Sequence, residues 1–156
     1  MANWKFQGLD EYLRQLERIQ GSSDQAIGKA IYEGAGVVAK ACASAIKGLP
    51  VINQYSSEGG ITSVQKAGLI EGFGISHAQT DGFYRNVKLG FDGYNGQKTK
   101  KFPNGQPNSM IARSINSGTS WRRKNPFMDK ATASSKSACE ATMKRVIDAE
   151  IQKVVN

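Results

Sequence analysis

The chain is poor in the residues from which most active sites are built. It has one histidine, His77, and two cysteines, Cys42 and Cys139, in 156 residues. A Ser–His–Asp or Cys–His site needs a histidine held between a nucleophile and an orienting group, and His77 stands in a predicted strand with no acid beside it. A structural zinc site needs Cys and His at short, fixed spacings, and no such spacing occurs. Both cysteines fall in segments that read as helix, so they are expected to be buried free thiols. No run approaches the 18 apolar residues of a membrane span, and the opening Met-Ala-Asn-Trp-Lys-Phe has no signal-type apolar core. The sequence therefore predicts a protein made and used in soluble form, with no membrane partner.

Three near-motifs fail in context. Gly34-Ala35-Gly36 matches a loose dinucleotide fingerprint, but that fingerprint needs a strand before it and a helix opening at the glycines, and here the glycines lie in mid-helix. Asp92-Gly93-Tyr94-Asn95-Gly96 resembles the start of a calcium loop without its bidentate Glu. Glu33, Glu58 and Glu71 have no spacing of a paired-carboxylate site. No catalytic residue, metal ligand or cofactor is assigned, and a non-enzymatic role is expected.

What the chain does have is glycine and positive charge. Seventeen glycines among 156 residues point to turns and loops rather than an all-helical bundle. The net charge is +8. It is concentrated, because residues 92–130 hold 8 Lys/Arg against 2 Asp/Glu, whereas residues 1–91 hold 9 against 8. A local excess of this kind suits a polyanion or an acidic protein surface, or simply solvates a loop.

Hydrophobic periodicity orders the rest into one domain, 1–156. A short helix is expected over 8–20, broken at Gly21-Ser22-Ser23. A longer one runs from Ser23 or Asp24 to Lys47, with the stripe Ile27, Ile31, Ala35, Val38, Cys42, Ala45 and Ile46. Its glycines weaken the helix but permit close approach of a partner element. A loop covers 51–60 and a short helix 61–73. Strands are expected at Ile75–Ala78 and Phe83–Phe91 around Asp81-Gly82, with Arg85 needing the sheet edge or a partner. Residues 92–108 fit no regular element and read as a flexible arm. Another strand is expected from Ser109 to Ser117, and a final helix from about Asp129 to the end. The class is α+β, a small, mainly antiparallel sheet with two long helices packed on one face, plus a long basic loop.

Two basic groups carry the chemistry that remains. Lys98, Lys100 and Lys101 lie beside Tyr94 and Phe102. Arg122, Arg123 and Lys124 lie beside Trp121 and Phe127. Cations with interleaved aromatics suit phosphates and bases, so these six are candidates for contact with DNA. No helix-turn-helix, zinc-finger or RNA-binding signature accompanies them, so such contact would be blind to sequence. Gly118, Thr119, Trp121, Pro126 and Phe127 form a second set, a corner where a sheet edge, a charged loop and a helix start meet. They are candidates for a contact between subunits or with another protein, with packing against the sheet or a neighbouring subunit as the alternative for the two aromatics.

Four segments together resemble a known family. Trp4-Lys-Phe-Gln-Gly-Leu-Asp-Glu-Tyr-Leu-Arg-Gln-Leu and Ile27-Gly-Lys-Ala-Ile-Tyr-Glu-Gly-Ala-Gly-Val-Val-Ala are similar to the first two helical stretches of the neck or tail-completion proteins of long-tailed bacteriophages. Ser117-Gly-Thr-Ser and Pro126-Phe-Met-Asp-Lys-Ala resemble their Gly-Thr-Ser…Pro-Phe signature. The resemblance covers nearly the whole chain in order, with gaps at 51–72 and 92–108. It implies an α+β subunit of a ring, typically a hexamer, that joins tail to head and lets DNA pass. It also implies assembly in the host cytoplasm, a place in the virion neck, and partners among tail-tube, tail-terminator and head-completion proteins. The residues by themselves leave a sequence-nonspecific DNA-binding module as the alternative.

Overall fold

The computed structural model describes residues 9–52, 60–81 and 84–155. Their elements are α1 (Leu9–Lys47), α2 (Ser63–Gly72), β1 (Phe73–Ile75), β2 (Gln79–Asp81), β3 (Tyr84–Asn86), β4 (Leu89–Phe91), α3 (Asn108–Ser117) and α4 (Phe127–Val155). The fold is α+β, with a small antiparallel β element and two long helices whose mutual packing dominates. At 1.5 Å per residue, α1 is about 58 Å long and α4 about 43 Å. They run antiparallel: Lys29 meets Glu150, Glu33 meets Arg145, and Cys42 meets Thr132.

The seam is narrow because one helix gives up a side chain. A Cβ on Gly34 would stand 2.6 Å from Met143 Cγ and 3.1 Å from Cys139 Sγ. The close approach expected of the glycine-rich stretch is thus made at this residue, whereas the space beside Gly36 is open. Surface ion pairs continue the seam. The Glu150 carboxylate accepts hydrogen bonds from Lys153 Nζ and Lys29 Nζ, each at 2.8 Å. These bonds hold its pKa down from 4.5 to about 2. A carboxylate depressed in the folded state contributes stability above its unfolded pKa and loses it as pH falls through the folded value. The melting-temperature advantage of wild type over Glu150→Gln is therefore expected to be full above pH 5 and to vanish by pH 2, read by circular dichroism at fixed ionic strength.

The break expected at Gly21-Ser22-Ser23 does not occur, and α1 is continuous. Ser23 Oγ donates to the Ile19 carbonyl at 2.6 Å, four residues back, so its hydroxyl is used within the helix instead of ending it. The helix does end at Gly48-Leu49-Pro50, as expected.

β1 pairs with β4 (Phe73↔Phe91, Ile75↔Leu89) and β2 with β3 (Gln79↔Asn86, Asp81↔Tyr84), which makes one interrupted hairpin. Between the ladders one side carries Ser76–Ala78 and the other only Val87 and Lys88, the one-residue excess of a bulge. Ser76 spans it: its N–H donates to the Lys88 carbonyl and its Oγ accepts from the Lys88 N–H. Arg85 finds its partner in Asp24 of α1, 3.7 Å away.

The larger correction concerns Ser109–Ser117, expected as a strand and observed as α3. Ile111, Ala112 and Ile115 are its buried apolar residues, a spacing that forms one face only in a helix. They join Ile46, Leu49, Ile61, Leu69 and Phe127 in the hydrophobic core, with Phe73 and Phe91 on its margin, their tilted rings 5.2 Å apart. α2 opens on a capping box, in which Gln65 N–H donates to Thr62 Oγ1 and Thr62 N–H to Gln65 Oε1.

Candidate functional site

The segment from Gly118 to Met128 is braced at both ends. Gly118 has φ +77°, and a Cβ there would stand 3.0 Å from Lys124 N, so the chain turns back on itself where only glycine fits. Thr119 and Arg122 pair antiparallel through N–H bonds to each other's carbonyls, at 2.9 and 3.4 Å, which makes a tight turn with Ser120 and Trp121 at its tip. Asn125 N–H then donates to the Ile115 carbonyl at 2.9 Å. Asn116 Oδ1 accepts from Met128 N–H and Asp129 N–H, capping α4 from the end of the preceding helix. The hydroxyl of Ser114 accepts from Arg122 Nη1 at 2.7 Å.

This geometry sorts the candidate residues. Arg122 is only 3% exposed, and its guanidinium lies 4.7 Å from the Trp121 ring and is bonded to Ser114. It is a brace of the turn, which corrects its placement among residues that contact DNA. Phe127 is 4% exposed and belongs to the core, the packing alternative left open for it: Pro126 delivers it inward at the first position of α4. Gly118 acts through backbone shape. Trp121 stays 53% exposed on the tip, with Arg123 and Lys124 exposed behind it. Thr119 is exposed and Pro126 half-buried.

The other basic group sits on a loop with a buried polar root. Gln65 Nε2 donates to Gln106 Oε1 at 2.9 Å, and Asn95 Oδ1 accepts from Gln97 N–H and Gln106 N–H. Asn108 Nδ2 donates to the Asp92 carbonyl at 2.8 Å. Gln65, Asn95, Gln106 and Asn108 are all buried. Thr99 and Phe102 close the tip by reciprocal backbone bonds, and Lys98, Lys100 and Lys101 stand exposed around it, Lys101 over the Phe102 ring at 5.7 Å. The segment expected as a flexible arm is thus hydrogen-bonded at its base. It enters α3 at Asn108, while the 119–122 turn leaves at Ser117. The root of this loop and the 119–122 turn therefore stand at opposite ends of a ten-residue helix about 15 Å long.

Other potentially reactive side chains are dispersed. His77 is exposed between β1 and β2, and Glu58 lies outside the described residues. Burial pushes the Cys42 thiol above its ordinary pKa, against a hydrogen bond with Thr132 that lowers it, which makes it a poor nucleophile. Cys139 is also a free thiol, half-buried beside Met143. Among the described residues no three His, Cys, Asp or Glu side chains cluster as a metal site, and no helix is long and apolar enough to cross a membrane.

Ser114, Asn116 and the Gln65–Gln106 pair are missing from the sequence-derived set. The Thr62-Ser-Val-Gln65 box was a readable signal for one of them. The others depend on α3 being a helix. No protein-family model, curated protein or solved structure matches the chain.

Proposed function

We propose that the protein is a non-enzymatic structural subunit of the neck of a long-tailed bacteriophage. Copies of it form a ring, a hexamer by the resemblance, that joins tail to head and lets DNA through. The braced 118–128 corner carries this reading. The residues of the Gly-Thr-Ser…Pro-Phe resemblance are those that fix the corner's shape: Gly118 permits the reversal, Thr119 closes the turn, and Phe127 anchors it in the core. The product is a rigid projection with Trp121, Arg123 and Lys124 outside, a form suited to recognition by another protein surface. The exposed lysines at the tip of the 92–108 loop suit a DNA passage, where contacts must be weak enough to let the duplex slide.

Those same lysines favour the second reading, a sequence-nonspecific DNA-binding module, and one pair of measurements separates the two. Native mass measurement is expected to give a ring, or a monomer that becomes a ring on purified tail tubes. A stable monomer that retards DNA at low salt and ignores tails would sink the neck reading. In the DNA titration, Lys98→Gln/Lys100→Gln/Lys101→Gln is expected to flatten the plot of log K against log salt by up to about 2.7, at roughly 0.9 per phosphate contact. An unchanged slope removes the loop tip from the DNA path.

A further inference from the structure

We infer that Trp121 of one copy seats in an open cleft between α1 and α4 of the next, so that the chain associates head to tail with itself. Trp121 is a large aromatic held out at the tip of a two-residue turn, with the buried Arg122 guanidinium against its ring. Tryptophan and arginine are the residues most often found to dominate protein contacts. A side chain already fixed in place loses little conformational freedom on docking. Arg123 and Lys124 flank it and are exposed.

The cleft is complementary. It is an open cleft of about 530 Å³ with Val38, Ala133 and Cys139 among its lining residues, enough room and apolar surface for an indole ring beside a sulfur. Its charged lining residues are Asp129, Lys136 and Glu140, two carboxylates against one ammonium, facing a knob that brings two cations. Carboxylates at the rim disfavour a phosphate backbone as the occupant, and a second copy supplies both the ring and the charges the cleft lacks. A knob that enters the next copy's cleft without receiving that copy's knob in return makes a heterologous contact, the kind that closes into a ring or runs on as a filament. What it builds, a closed ring, rests on the neck reading; the contact itself does not.

The test uses two full-length variants. Trp121→Ala removes the knob and keeps the cleft, whereas Ala133→Arg blocks the cleft and keeps the knob. Both positions are exposed, so thermal melting is expected to stay close to that of wild type and serves as the folding control. Each variant alone is expected to lose about 30-fold or more in self-association by analytical ultracentrifugation. Mixed in equal amounts, they restore one contact and stop at a dimer of one of each. Trp121→Ala assembling like wild type overturns this contact and leaves the ring reading standing, as does a mixture that forms no dimer. Wild type that forms dimers or filaments through Trp121 but no ring overturns the ring reading alone. Wild type that stays monomeric while Trp121→Ala loses binding to tail tubes assigns the knob to another protein and overturns the self-contact.

Discussion

Replacing Phe127 with alanine is expected to destabilise the isolated chain by about 3–5 kcal/mol. The side chain belongs to one buried cluster with Ile46, Leu49, Leu69, Ile111 and Ile115, which come from three separate parts of the chain. Its backbone cannot follow the shortened side chain inward, because Phe127 N–H is bonded to the Asn125 carbonyl and Asn125 N–H to Ile115, each within 2.9 Å. The truncation therefore leaves a cavity as well as lost burial. A loss of that size is a large fraction of the roughly 5–15 kcal/mol that holds most domains folded. Urea unfolding at a concentration where the chain is monomeric measures it, with Trp121→Ala as the comparison, expected to cost only about 1 kcal/mol through its contact with Arg122. If Phe127→Ala abolished assembly while leaving monomer stability unmoved, Phe127 would belong to an interface after all.

The next largest effect is expected at the helix seam. Gly34→Val places a branched side chain where a single Cβ already stands 2.6 Å from Met143 Cγ. The helices must separate or Met143 must leave its place, at a cost of about 1–3 kcal/mol for overpacking. Two residues along, Gly36→Ala meets nothing within 4 Å and gains the helix propensity that glycine lacks, a stabilisation of up to about 1 kcal/mol. Opposite signs at two glycines of one helix identify the point of contact. Equal effects in chemical denaturation would mean that the seam does not depend on Gly34.

Much of this arrangement was legible in the residues, and the failures share a cause. The stripe through Val38, Cys42 and Ile46 announced the second half of α1, and the apolar pattern from Cys139 to Val154 announced α4, because long amphipathic helices repeat their signal many times. α3 offers barely three turns. Its serines and asparagines are indifferent helix formers, and Ile111 and Ile115, four apart, share a face in a strand as well as in a helix. Reading α3 as a strand hid two contacts. With 109–117 extended, Ser114 has no reason to meet Arg122, and Asn116 no reason to reach the start of α4. Arg122 in a run of cations then looks solvent-facing, and Phe127 after a loop looks available. The corner itself was visible from Gly118, Pro126 and the aromatics; which of its residues point inward was decided by a helix that local pattern did not identify. Gly21-Ser22-Ser23 failed differently, since tertiary packing and one serine hydroxyl outweighed a poor local propensity.

The antiparallel seam also sets an order of events in time. Lys29 and Glu150 are 121 residues apart in sequence, so the longest helix is completed by a partner from the far end of the chain. At about 5–20 residues per second of synthesis, α1 waits roughly 5–20 s before the last residue of α4 exists. α3, the 118–126 turn and the first turn of α4 are joined by contacts close in sequence and can form as soon as they are made. The exposed corner can then be shaped while most of α1 still waits for α4.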